Sequence, residues 1–196
     1  GSASIDDPNL VLHDLKGSID FTGKEPLFNF DADLAKADFK KLNVTQDDFL
    51  LNGHFNLNFT GSNIDNFLGT AKIYNAGLLH NNTPLSFDSL ILHSSVLNDS
   101  KVLSLVTNNL EAEVDGKFTI RELPDAFNIF LSRYFPAYIK KPGYMLSDQD
   151  FSFLIKTKEV DSYMPLLDHR LRGFDNSVIE GSLQLSENQF SVNATV

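Results

Sequence analysis

The sequence predicts a mainly β protein, and two patterns carry that prediction. Polar and apolar residues alternate with period two in several segments, as in Leu110–Ile120, where Leu110, Val114 and Phe118 share one side. Such alternation is typical of strands with one dry face. Glycine also opens or interrupts five alternating segments, at Gly17, Gly53, Gly69, Gly116 and Gly181. Glycine inside a strand indicates a bulge or a close backbone approach. We therefore expect a curved antiparallel or taco-like sheet of roughly ten strands, with an apolar interior and one or two short helices.

The apolar members of the alternating segments form the predicted lining of that interior. They share hydrophobic character and a position on the dry side of a strand. The candidate lining residues are Ile19, Phe21, Phe28, Phe30, Leu34, Phe55, Leu57, Phe59, Ile73, Leu110, Val114, Phe118, Ile120, Phe151, Phe153, Leu183, Leu185, Phe190 and Val192.

Two segments interrupt the strand pattern. Pro124 favours the first turn of a helix and Pro136 its end, with Phe127, Phe130, Leu131 and Tyr134 spaced on one side. We expect that side to pack on the apolar face of the sheet. A single helical turn is also expected near Tyr163 to Leu167, where Pro165 limits its length.

Composition excludes several classes of protein. The chain has 196 residues, 42% of them hydrophobic and 17 of them Phe, which is ample for a folded core or an apolar lining. Its net charge is −10 without a basic stripe, so nucleic acid is not expected as a partner. Gly1 and Ser2 have the look of a cloning scar, and residues 3–196 are predicted to be a single β-rich segment of a longer repetitive protein.

No residue pattern points to catalysis or to a cofactor. The acidic residues Glu111, Glu113 and Asp115 share the wet side of a strand, where a solvated surface is the simpler interpretation. The five histidines have no metal-ligand spacing, and the chain has no cysteine. We expect a protein without enzymatic activity, metal or cofactor.

The phenylalanines leave two architectures open. They could fill the closed core of a β-sandwich acting as a binding or scaffolding module, or they could line an open apolar groove. Periodicity alone is equally consistent with both arrangements.

Three stretches resemble a known family. Residues 58–95 contain a glycine, a short turn, a glycine-initiated strand and then Asp88-Ser89-Leu90, and residues 110–138 lead from an alternating strand through Leu-Pro into a helix ending near Tyr-Phe-Pro. Together with residues 26–43, they resemble the TamB family (translocation and assembly module) and its AsmA-like relatives, of the Bacteroidetes type. The resemblance covers residues 8–196 and is one of pattern.

The resemblance implies a half-pipe of β-structure that lies in the periplasm, with the parent protein anchored in the inner membrane. It implies support of phospholipid transport and outer-membrane protein assembly, with phospholipid acyl chains as the partner of the lining residues. An outer-membrane assembly barrel is implied as a partner of other parts of the parent.

Overall fold

The computed structural model describes residues 2–43, 45–81, 83–161 and 172–195, and it consists mainly of β-strands. One helix and one short 3-10 helix interrupt the strands between β8 and β9. The strands are β1 Ser2–Asp7, β2 Leu10–Asp20, β3 Leu27–Asp38, β4 Phe49–Thr60, β5 Leu68–His80, β6 Thr83–Leu97, β7 Ser100–Thr107, β8 Leu110–Lys117, β9 Asp150–Thr157, β10 Val178–Gln184 and β11 Gln189–Thr195.

All eleven strands belong to one antiparallel sheet in which spatial order follows chain order from β1 to β11. Each strand pairs only with its neighbours in sequence, so β1 and β11 are the two edges and the sheet is open. This confirms the predicted fold class. The described strands form a single sheet, so they do not build the two-sheet sandwich that the sequence left open.

The register brings the apolar positions of successive strands onto one face. Residues directly opposite each other in an antiparallel pair share a face of the sheet. Phe28 lies opposite Phe59, and their rings stack with centroids 4.8 Å apart. Phe55 in turn lies opposite Ile73, and further along the sheet Val114 lies opposite Phe153. The pairing therefore joins the dry sides of separate strands into one continuous surface.

Irregularities in the middle of the early strands bend the sheet. The register shifts between His13 and Lys16 on β2, between Leu34 and Ala37 on β3, and next to Gly53 on β4. Each extra residue bends its strand and increases the local twist. Because the shift at β3 adds one residue, Leu34 and Ala37 both stay buried although their spacing is odd.

The helix α1, Leu123–Tyr134, confirms the helix predicted from the two prolines. Pro124 occupies the first turn, where its missing N–H has no helical acceptor to lose. A 3-10 helix, Ile120–Glu122, leads into it, so the predicted strand continuation to Ile120 is wrong: β8 ends at Lys117. The helical turn expected near Tyr163 to Leu167 lies outside the described residues. Within the described ranges, no helix has the length and apolar character needed to cross a bilayer.

Candidate apolar binding face

The face of the sheet that carries Phe28, Phe55, Leu57, Ile73 and Val114 is called the inner face here. It is the side onto which the register collects most of the predicted lining residues. Most of these side chains are half-buried: Phe28, Phe30, Phe55, Leu57, Phe59, Ile73, Leu110, Val114, Phe153 and Phe190. Three are fully buried, Leu34, Phe151 and Leu183.

Six predicted lining residues lie at the rim of the inner face or beyond the strand ends. Ile19 and Val192 lie on the inner face by register, opposite Phe28 and Gly181, but they are exposed because few neighbours shield them on β2 and β11. Phe21 follows the end of β2 and is 73% exposed. Three others lie beyond the strand ends, Phe118, Ile120 and Leu185; Phe118 and Leu185 still pack against the apolar cluster at that end of the sheet.

The inner face also includes residues that the sequence analysis missed. Leu90 and Leu92 on β6 and Leu103 and Leu105 on β7 lie on it, since Leu92 pairs with Leu105 and with Ala71. Their strands do not alternate cleanly because outward positions such as Val106 are apolar too. On β7, the only period-two pattern that could have indicated the inner face is that of Leu103 and Leu105, which continues the positions of Lys101.

Helix α1 covers the inner face at strands β8 to β11. Ala126 and Phe130 of α1 form a buried cluster with Phe151 and Leu183, while Val114 packs around its margin. Phe127 meets the rings of Phe151 and Phe190 edge-on, with centroids 6.2 and 5.7 Å apart.

The predicted packing of α1 needs one correction. Phe130 is buried and Phe127 and Leu131 pack against the cluster, as the spacing predicts. Tyr134, however, is 58% exposed, because it lies in the last turn of the helix. Its ring contacts that of Phe130, with centroids 5.1 Å apart. Ala126 and Ile129 are the buried helix residues that the prediction omitted.

The connection between β4 and β5, residues 61–67, folds over another part of the inner face. Its Phe67 is buried against Phe59, with ring centroids 4.9 Å apart. The Lys101 amine donates to the backbone oxygen of Asp65 at 2.7 Å, and the Ile120 N–H donates to the Asp65 carboxylate at 2.7 Å. Asp65 therefore ties this connection to β7 and to the 3-10 helix, two distant parts of the chain.

Lys101 is a cation set on the otherwise apolar inner face. It pairs with Gly116 and lies over the Phe118 ring, 5.6 Å from its centroid. Burial lowers the pKa of the Lys101 amine, while the nearby negative charge of Asp65 opposes that change. Its donors are used by the 61–67 connection, so the cation serves to hold that connection in place.

Two apolar clefts remain between these covering elements and the β1 edge. One, of about 430 Å³, lies over β1 to β3 and is lined by residues including Ile5, Leu12, Leu15 and Phe30. A second, of about 300 Å³, lies between Phe28, Phe59 and the 61–67 connection. Both volumes lie in or near the range of sites that take small ligands, roughly 300–1,000 Å³.

The outer face is polar. Glu111, Glu113 and Asp115 are exposed on it, as the alternation predicts. A depression of about 480 Å³ there is bordered by Glu113, Asp115 and Glu180, with Leu154 and Val192 adding apolar surface. In the part of the chain that the structure describes, no three His, Asp or Glu side chains are grouped to hold a metal ion.

His54 and two aspartates meet on this outer face. The His54 ring nitrogens lie 2.7 Å from the Asp33 carboxylate and 3.1 Å from that of Asp31. The hydrogen bond to Asp33 raises the pKa of His54, and the charge of Asp31 adds to the effect. Sequence spacing gave no sign of this cluster, because the pairing of Asp33 with His54 depends on the β3–β4 register.

Comparison with known proteins identifies no relative of this chain. No family model matches the chain, and no curated protein or solved structure is significantly similar to it.

Proposed function

We propose that this chain is a non-enzymatic β-groove segment whose inner face binds the acyl chains of phospholipids. The observation that carries the proposal is the continuous apolar face of a single open sheet, most of whose aromatic and aliphatic side chains are only half-buried. In an ordinary sheet protein, a second layer covers such a face along its whole length. Here α1 and the 61–67 connection cover parts of it.

The energetics suit an acyl chain. Moving hydrocarbon from water onto an apolar surface yields about 0.8 kcal/mol per CH₂ group, so a mainly apolar trough stabilises a chain along its length without any specific chemistry. The Phe28, Phe59 and Phe30 side chains border the two clefts and supply that surface. The residues of the inner face offer no nucleophile or acid positioned for hydrolysis, so binding is the function they support best.

The wider role rests on the resemblance to the TamB and AsmA-like proteins. In that role the groove supports phospholipid transport and outer-membrane protein assembly in the periplasm, as part of a longer parent anchored in the inner membrane. Contact with an outer-membrane assembly barrel belongs to other parts of such a parent.

A charge placed on the inner face tests the acyl-chain proposal directly. Leu57→Asp puts a carboxylate among half-buried apolar residues of β4, whereas Asn58→Asp places the same group on the exposed outer side of the next position. We expect Leu57→Asp to weaken binding of a fluorescent fatty-acid analogue by at least about tenfold and Asn58→Asp to leave it unchanged.

Photo-crosslinking gives an independent measurement. A benzophenone amino acid at Phe55 or Phe28 should crosslink to phospholipid, and the same group at Asn56 should not. The proposal fails if the wild-type chain binds no fatty-acid analogue, or if crosslinks to lipid form equally from both faces. Thermal unfolding of each variant separates loss of binding from loss of the fold.

A further inference from the structure

A second exposed apolar surface lies in residues 133–145, the last two residues of α1 and the segment that follows it. Five of the fifteen exposed large apolar side chains of the described residues lie in this short stretch. Tyr138 is 89% and Met145 95% exposed. The others are Tyr134, Phe135 and Tyr144. Exposed apolar side chains scattered singly are ordinary, but such a concentration marks an interaction surface.

Charge in the same segment is opposite to that of the whole chain. Residues 133–145 contain Arg133, Lys140 and Lys141 and no Asp or Glu, while the full sequence carries a net charge of −10. All three cations are exposed, and within the described residues none of them forms an ion pair. Two acidic groups border the segment: Asp125 of α1 accepts a hydrogen bond from the Tyr144 hydroxyl, and Glu122 lies near the same hydroxyl.

The segment is held at both ends, so its exposure is a feature of the fold. On one side, Phe130 and Leu131 pack against the cluster under α1. On the other, Leu146 packs on the same cluster, and the Ser147 N–H donates to the Glu122 carboxylate at 2.9 Å. Between these points the Ile139 N–H donates to the Phe135 oxygen at 3.0 Å, which closes a backbone turn within the segment.

We propose that the segment 133–145 is a docking surface for an anionic phospholipid bilayer. Tyr side chains combine an apolar ring with a polar hydroxyl and are enriched where protein meets the headgroup region of a membrane. Lys and Arg beside them are attracted to the negative charge of anionic headgroups. Aromatic, sulfur and basic side chains on one anchored segment match that surface in both polarity and charge.

This surface is separate from the inner face in its residues. It contains none of the side chains that line the two clefts, so the proposal does not depend on acyl-chain binding. Different variants test the two proposals. Leu57→Asp changes the groove, and substitutions at Tyr138, Lys140 and Lys141 change the docking surface.

Vesicle flotation tests the proposal with the whole chain. We expect the wild type to float with vesicles of phosphatidylcholine containing phosphatidylglycerol, less with pure phosphatidylcholine, and less at high salt because ions screen the attraction. Lys140→Glu with Lys141→Glu should weaken binding to the anionic vesicles by at least about tenfold. Tyr138→Ser with Met145→Ser should weaken it on both vesicle types.

Matched controls come from exposed positions elsewhere. Lys24→Glu with Lys158→Glu makes the same change of net charge, and Leu97→Ser with Val178→Ser removes an exposed apolar pair from the outer face. Both controls should bind like the wild type. Since the chain has no tryptophan, Tyr138→Trp gives a single tryptophan, excited at wavelengths that tyrosine does not absorb, whose emission should shift to shorter wavelength on anionic vesicles.

Three results would overturn the proposal. The first is a wild type that leaves anionic vesicles unbound, and the second is a Lys140→Glu and Lys141→Glu pair that binds as well as its control. The third is a Tyr138→Trp variant whose tryptophan emission stays at the wavelength of a water-exposed indole when vesicles are added. Self-association of the wild type, lost in Tyr138→Ser with Met145→Ser and without vesicle binding, would instead assign the surface to a second copy of this chain.

Discussion

Gly116 on β8 lies directly opposite Phe151 on β9, and a Cβ placed on Gly116 would come within 2.7 Å of the Phe151 Cα. The backbone of Gly116 has φ +141°, a conformation that residues with a side chain rarely adopt. The same relationship recurs at Gly69 with Phe59 and at Gly17 with Phe30. The repeated glycines thus make room for phenylalanines of the neighbouring strand.

Replacing Gly116 by alanine should therefore destabilise the fold. The added Cβ meets backbone of β9, which cannot move aside as a flexible side chain could, and the positive φ adds strain. We expect a loss of about 2 kcal/mol or more in the free energy of unfolding, measured by urea denaturation. Gly143→Ala is the control, since nothing lies within 4 Å of its Cβ position. Equal stability of the two variants would contradict the close-approach interpretation.

The buried cluster under α1 gives a second prediction. Phe130→Ala should lower the free energy of unfolding by about 3 kcal/mol, because it leaves a cavity between the helix and the sheet. Tyr134→Ala, four residues further along the same helix, should cost less than about 1 kcal/mol, because that ring is largely exposed. Calorimetric unfolding measures both. A larger loss at Tyr134 than at Phe130 would mean that the helix packs through another side.

Asp65 supplies a third prediction. Asp65→Ala removes the acceptor of the Ile120 N–H and the carboxylate partner of Arg121, at 3.4 Å from its Nε. We expect a loss of about 1–2 kcal/mol and faster hydrogen exchange of the Ile120 amide. Asp6→Ala, at an exposed position of β1, is the matched control. Unchanged protection of the Ile120 amide would show that the 61–67 connection does not hold the 3-10 helix.

The His54 cluster predicts a dependence of stability on pH. Because the pKa of His54 is raised above 6.5 by Asp33 and Asp31, its contribution is fully present below pH 6.5 and is lost as the pH rises through the raised value. Compared with His54→Gln, the wild type should be more stable at about pH 5 than at about pH 8, by at most about 1 kcal/mol because the pair is partly exposed. An NMR titration of the His54 ring gives the pKa directly. A stability difference that does not change with pH would contradict the pairing.

The class of fold and most of the inner face could be predicted from the amino-acid pattern. Period-two alternation fixed which side of each strand is apolar, because strand geometry sends successive side chains to opposite faces whatever their neighbours are. That local rule located Phe28, Phe55 and Val114 on one surface, and the two prolines bounded α1. It lost accuracy at the strand ends, at Phe21 and Ile120, where alternation continues after the ladder of hydrogen bonds has stopped.

The pattern could not predict which residues meet across long stretches of chain. The contacts of Asp65 with Ile120 and of His54 with Asp33 depend on strand register and on the path of the connections. Periodicity within one strand carries no information about either. The same holds for the choice between a covered and an open face. A half-buried lining position and a core position have the same pattern in sequence, and burial depends on whether another layer reaches them. Here α1 reaches Phe151 and Leu183, while Phe28 and Leu57 keep access to the groove, because α1 is too short to span the eleven described strands.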